Sequence, residues 1–227
     1  MSVTGVISNI SRCSVNDGPG VRTVVYFKGC NLRCKWCHNP ELISFHRELA
    51  YFPQKCIFCG RCVMMCPKVH IIENNLVKLK RECCTACGKC ADECPANALE
   101  LIGKEMSVDE VFTEVLKDRH FFNESGGGVT FSGGDPLCPG NRETVGQLIA
   151  EIHERFPEKT IWLYTGDLFE SFRDTLSFLP MIDVIVDGPY VEALRDVNLR
   201  WKGSKNQRVI DVKQTLATGK VVLWARN

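Results

Sequence analysis

Eleven of the fourteen cysteines in this 227-residue chain fall into three ordered sets, and nothing else in the sequence constrains the fold so tightly. Cys56, Cys59, Cys62 and Cys66 follow the spacing C-x2-C-x2-C-x3-C, with Pro67 next. Cys84, Cys87, Cys90 and Cys94 repeat it, with Pro95 next. A third set, Cys30, Cys34 and Cys37, runs C-x3-C-x2-C and stops at three. The opening residues MSVTGVISNIS show no basic stretch followed by an apolar one, so no export signal is read there. No apolar run approaches the roughly 18 residues that would span a bilayer. The expected location is therefore cytoplasmic, where thiols stay reduced and clustered spacings point to metal rather than to disulfides.

The two tetrads carry the spacing of bacterial two-cluster ferredoxins, in which the fourth cysteine of each run serves the other cluster. On that pattern one [4Fe–4S] cluster takes Cys56, Cys59, Cys62 and Cys94, and a second takes Cys84, Cys87, Cys90 and Cys66. Short turns let three thiolates converge on one cube, and the proline starts a new segment. Structural zinc is the alternative, since C-x2-C also binds zinc. The expected module covers residues 52–104, too little of the chain for the whole protein to be an electron carrier. Net charge is +1 with no like-charge run, so no nucleic-acid footprint is expected.

Outside the module, strand and helix patterns alternate, which predicts parallel strands joined by right-handed crossovers. Strands are expected at 22–28, 128–134, 160–166, 182–188, 208–211 and 220–224. Helices are expected at 107–122, with Ser107 and Glu110 as a capping box, at 141–156 behind Asn141, at 167–179 with Asp167 and Glu170 as cap pair, and at 212–218. The residues outside 52–104 are too few for a closed eight-fold barrel. The expected fold is α/β: an incomplete TIM-like barrel from 1–51 and 105–227, with an inserted α+β ferredoxin-like module. Cys30, the run Gly133-Gly134-Asp135, Thr165-Gly166 and Asp187-Gly188 all follow strands. They are expected on the carboxyl-end face, where such barrels carry active sites.

A three-cysteine set leaves one iron of a cube without a protein ligand, and an open metal position invites a substrate. A tris-cysteine zinc site, with His38 as a fourth ligand, is the alternative. C-x3-C-x2-C with an aromatic, Trp36, before its last cysteine resembles the signature of the radical S-adenosylmethionine (SAM) enzymes. Upstream, Asp17, Gly18, Pro19, Gly20, Arg22 and Thr23 resemble the D-G-P-G-x-R-T turn of the glycyl-radical-enzyme activating enzymes. The tail Cys37-His38-Asn39-Pro40-Glu41 and the segment GGGVTFSGGDPL (126–137) are similar to theirs too, although most members carry Glu where this chain has Asp135.

The resemblance implies that SAM chelates the open iron, with Gly133, Gly134 and Asp135 receiving its amino group and Trp36, His38, Thr165 and Asp187 lining the site. It implies reductive cleavage to a 5′-deoxyadenosyl radical that removes a hydrogen atom from a glycine Cα of a partner enzyme. The ferredoxin clusters would relay electrons from reduced flavodoxin or ferredoxin, giving three [4Fe–4S] clusters in all. TIWLYTGD, IDVIVDGPYVEALRD and NLRWKGSKNQRVID resemble instead the activating proteins of anaerobic ribonucleotide reductase. The partner is thus left between that reductase and glycyl-radical lyases, decarboxylases or dehydratases, with Asn206, Gln207 and Arg208 as site contacts or a surface turn. Two other readings stand: a radical SAM enzyme acting on a small molecule, and an electron-transfer protein with a zinc-filled or vestigial third site. Cys13, Cys83 and Cys138 are expected to ligate nothing.

Overall fold

The computed structural model describes residues 3–35, 37–74 and 76–225, and the chain divides into two compact units. The first comprises Met1–Phe45 with Glu105–Asn227, the second His46–Lys104.

The first unit is a mixed α/β structure built on a seven-stranded sheet. Its strands are β1 (Thr4–Ser14), β2 (Arg22–Phe27), β3 (Lys104–Ser107), β4 (Gly128–Gly133), β5 (Thr160–Tyr164), β6 (Val184–Asp187) and β7 (Arg208–Asp211). The order is β7-β6-β5-β4-β2-β1-β3. β2, β4, β5 and β6 run parallel, with Phe27 opposite Gly133 and Val186 opposite Tyr164. This parallel core is compatible with a partial barrel. β1 and β7 lie antiparallel to β2 and β6, so an all-parallel sheet is not what forms.

One face of the sheet (Val25, Phe27, Val129, Phe131, Ile161, Leu163, Ile185, Ile210) packs into the main core with α1 (Val108–Leu116), α2 (Arg119–Ser125) and α3 (Arg142–Arg155). The other face carries Trp162, Val184 and Val186 against Trp201 and Trp224, whose rings meet Trp162 edge-on at 5.1 and 5.8 Å.

Several expected elements change shape for local reasons. The capping box at Ser107 and Glu110 forms, but the helix stops at Leu116 and a second begins at Arg119. Between them the buried Asp118 carboxylate accepts from Arg12 and from the Thr23 hydroxyl, which pins the chain to β1 and β2. The expected helix 167–179 shrinks to α4 (Phe169–Phe172) without its cap pair, because Glu170 turns to Arg208. A last helix, α5 (Val212–Thr218), starts at Asp211, whose side chain accepts from the Gln214 amide. The expected strand 220–224 forms only one bridge, between Leu223 and Ile210.

In the second unit Glu48–Tyr51 pairs with Leu99–Ile102, and His70–Glu73 with Leu76–Leu79, all antiparallel. Short helices at Arg61–Met65 and Lys89–Asp92 each follow a left-handed glycine, Gly60 and Gly88. No helix among the described residues is long and apolar enough to cross a membrane.

Candidate functional site

Because β2, β4, β5 and β6 are parallel, their carboxyl ends share one edge of the sheet, and the chain leaving β2 there carries the three-cysteine loop. The loop is seated by backbone bonds: Gly29 N–H donates to Leu42 O (2.7 Å) and Cys30 N–H to Ile43 O (3.0 Å). Cys30 is buried, while Cys34 and Cys37 are partly exposed, with Cys37 N–H donating to Cys34 O (3.1 Å). Trp36 lies outside the described residues. His38 sits beside Cys37 in the same loop and is exposed.

Gly133 and Gly134 let β4 end against this loop. Gly133 takes a positive φ of 107°, and a Cβ on Gly134 would stand 2.2 Å from Gly29 O. Only glycine allows that approach. Asp135 follows, fully buried, and its N–H donates to Gly29 O (2.9 Å). Its carboxylate accepts from the Thr165 hydroxyl (3.1 and 3.0 Å), the Gly166 amide (3.0 Å) and the Leu137 amide (2.9 Å). Burial holds the Asp135 carboxyl above its ordinary range, against the pull of those donors. Gly166 also leaves room for Leu32 of the cysteine loop. Thr165 and Asp135 are thus one bonded unit joining the exits of β4 and β5.

Asn141 was expected as a helix cap, and it does precede α3, but its side chain caps nothing. Its amide instead donates to Asp135 O (2.9 Å) and Gly29 O (3.2 Å), locking the turn from behind. Cys138 donates to the Asp135 carbonyl (3.0 Å), and burial pushes its thiol up to about 12, so it sits there as a neutral donor.

Asp187 lies at the same edge, but its carboxylate accepts from the Phe169 amide (2.8 Å) and from Arg208. The Asn206–Arg208 run is no loose surface turn. Asn206 donates to Pro189 O (2.7 Å), Gln207 to Gly188 O (3.1 Å), and Arg208 bridges Asp187 and Glu170. All three hold the loop leaving β6. A solvent-open cleft lies between that loop (Tyr190, Glu192) and the cysteine loop (Arg33, Cys34, Lys35).

At the opposite, amino-terminal ends of the strands sits buried Arg22. It donates to Thr130 (2.6 Å), Val129 O (2.7 Å) and Thr160 (2.8 Å), over the ring of Trp162. The Asp17–Thr23 turn is therefore a structural clamp, remote from the cysteine loop.

Whether iron suits the three-cysteine loop can be judged from the thiols. Burial raises Cys30 above an ordinary thiol, and Asp135, Cys34 and Cys37 press it further the same way. Grouped thiolates beside a buried carboxylate need a cation to be stable, and a cluster ligated there supplies one. Among the described residues no three His, Cys, Asp or Glu side chains converge as a single metal ion would require.

In the second unit, Cys56, Cys59, Cys62 and Cys94 line one small pocket. Cys90 is buried and raised to about 11, chiefly by desolvation and then by Cys84, with Cys66 and Cys87 adding to it. Cys94 of the second run thus stands with three cysteines of the first, and Cys66 of the first acts on Cys90 of the second.

A family model described as "4Fe-4S single cluster domain" matches residues 16–68 and 75–210. The chain belongs to that 4Fe–4S single cluster domain family. Proteins similar to it include the benzylsuccinate synthase activating enzyme of Thauera aromatica, 43% identical over 66% of this chain and 46% of the relative. The (2S)-3-sulfopropanediol dehydratase activating enzyme of Klebsiella oxytoca is 36% identical over 82% of this chain and 59% of the relative. The isethionate sulfite-lyase activating enzyme of Oleidesulfovibrio alaskensis is 45% identical over 60% and 46%. These relatives are glycyl-radical-enzyme activating enzymes of the radical SAM class, as the motifs indicated. The chain spans about half the length of the curated relatives it matches.

Proposed function

We propose that this chain is a glycyl-radical-enzyme activating enzyme that cleaves SAM reductively. One observation carries the reading: C-x3-C-x2-C sits on a Gly29–Gly134–Asp135 frame at the carboxyl edge of four parallel strands. Cys30, Cys34 and Cys37 would hold three corners of a [4Fe–4S] cluster and leave the fourth to SAM. When bound, that cluster supplies the electron that splits SAM into methionine and a 5′-deoxyadenosyl radical.

The remaining work belongs to the protein. The Gly133-Gly134-Asp135 turn, held rigid by Thr165 and Asn141, offers its surface to the amino group of SAM; Trp36 and His38 flank the last cysteine. Asp187, tied to Arg208, keeps the β6 loop in place at the rim of the site. Holding the reactants in fixed geometry replaces a chance encounter. The cleft between Cys34 and Tyr190 is open, which suits a partner's glycine-bearing loop better than an enclosed small molecule.

We read the unit around residues 52–104 as a two-cluster ferredoxin module, with Cys56, Cys59, Cys62 and Cys94 on one cluster and Cys84, Cys87, Cys90 and Cys66 on the other. It would pass electrons from reduced flavodoxin or ferredoxin to the SAM cluster, three clusters in all, within a partial barrel at 1–51 and 105–227. The partner is a glycyl-radical enzyme; the relatives' names favour lyases, dehydratases and synthases, and the C-terminal half favours anaerobic ribonucleotide reductase. The test is electron-spin resonance of each candidate partner after anaerobic incubation with this protein, SAM and reductant. A glycyl-radical doublet on one partner supports the reading, and its absence on all of them, with clusters intact, counts against it.

A further inference from the structure

The two halves of the second unit repeat one another in sequence: Cys84 answers Cys56, Cys90 answers Cys62, and Leu79 answers Tyr51. The repeat is therefore broken by a hydroxyl. Tyr51 ends the strand Glu48–Tyr51 and lines the cavity shared by Cys56, Cys59, Cys62 and Cys94. Its Oη is buried and meets no protein group at full hydrogen-bond geometry. The groups acting on it are the Cys56 thiol first, then the Val77 backbone and the Cys62 thiol. A buried hydroxyl without a partner is costly, so it calls for an acceptor. Leu79, packed near Cys84 in the other half, has no such atom to offer.

We infer that the Tyr51 hydroxyl donates a hydrogen bond to a sulfur of the cluster held by Cys56, Cys59, Cys62 and Cys94, raising its potential above that of its twin. Tyr51 is a positioning residue here, acting on the cluster's electronics. The physical cause is simple. Reduction adds negative charge to the cluster, a donor stabilises the more negative state, and hydrogen bonds to sulfur are among the determinants of iron–sulfur potential. The inference rests on the two-cluster ferredoxin reading.

The experiment is a potentiometric titration of the anaerobically reconstituted full chain, followed by electron-spin resonance, for wild type, Tyr51→Phe and Leu79→Tyr. Iron and sulfide content are measured alongside. In Tyr51→Phe one cluster that SAM does not perturb should become harder to reduce. Its reduced-to-oxidised ratio at fixed potential should fall by about tenfold, equivalent to ~59 mV for one electron. Leu79→Tyr should move the other SAM-insensitive cluster upward. Unchanged midpoints in both variants, with full iron content, overturn the inference while leaving the ferredoxin reading intact. Too little iron in wild type for these two clusters overturns both.

Discussion

The Thr165 hydroxyl lies 3.1 and 3.0 Å from the two carboxylate oxygens of Asp135, so the exits of β4 and β5 are joined at a single buried acid. Asp135 reaches Thr165 and Gly166 without leaving its turn. Thr165→Val keeps the shape and deletes the donor. A lost hydrogen bond to a buried charged group costs about 1.5–3 kcal/mol. SAM binding, followed as the ligand-induced change in the cluster's spin resonance, should weaken by roughly tenfold or more with iron content unchanged. Wild-type affinity in the variant would show that this link does not position SAM.

Cys34→Ala should remove the SAM-responsive cluster and spare the other two, because the ligands proposed for those two all lie in the second unit. Iron per chain should drop by about a third, and the remaining signals should be insensitive to SAM. A SAM-responsive signal that survives would move the ligand assignment elsewhere.

Arg22 should matter for folding rather than for chemistry. It is buried at the amino ends of the strands, and burial brings its pKa down to about 9, so it stays charged at neutral pH. Arg22→Leu strips partners from Thr130, Thr160 and the Val129 carbonyl. A loss of about 3 kcal/mol or more is expected, read as a lower denaturant midpoint. SAM cleavage per folded, iron-loaded molecule should stay near wild type. A variant that unfolds normally yet loses cleavage would contradict the clamp reading.

The Glu170–Arg208 link gives a pH signature. The hydrogen bond from Arg208 depresses Glu170 from 4.5 to about 2. A depressed acid contributes stability that is full above its unfolded pKa and is lost as pH falls through its folded one. The difference in denaturant midpoint between wild type and Glu170→Gln should be constant above about pH 4.5 and vanish toward pH 2. Glu170 is exposed, so solvent screening limits the difference to ~0.5 kcal/mol. A difference that grows on acidification would reverse the sign and refute the link.

The strands with long β-branched runs ending in glycine or aspartate, β2, β4, β5 and β6, were legible because a buried parallel strand is apolar on both faces. β1 was not: in Thr4–Ser14 only Gly5 and Ile7 are buried, and its pairing with β2 slips register twice. The reversed direction of β7 leaves no trace in a four-residue strand. The three cysteine sets are read from spacing, which is local. What spacing could not reveal was where polar side chains turn in three dimensions. Asn141 abandons its helix for Gly29 and Asp135, and Asp118 splits a helix to reach Arg12 and Thr23. Arg208 leaves solvent for Asp187. Each is a long-range pairing of residues that look like ordinary caps or surface charges in the chain.

The claim on which the account turns is that Cys30, Cys34 and Cys37 leave one iron free to bind and reduce SAM. It is tested most directly by incubating the anaerobically reconstituted chain with SAM and a strong one-electron reductant, then quantifying 5′-deoxyadenosine by chromatography. Wild type should release it and Cys34→Ala should not. No release from fully iron-loaded wild type, or equal release from both, would contradict the account.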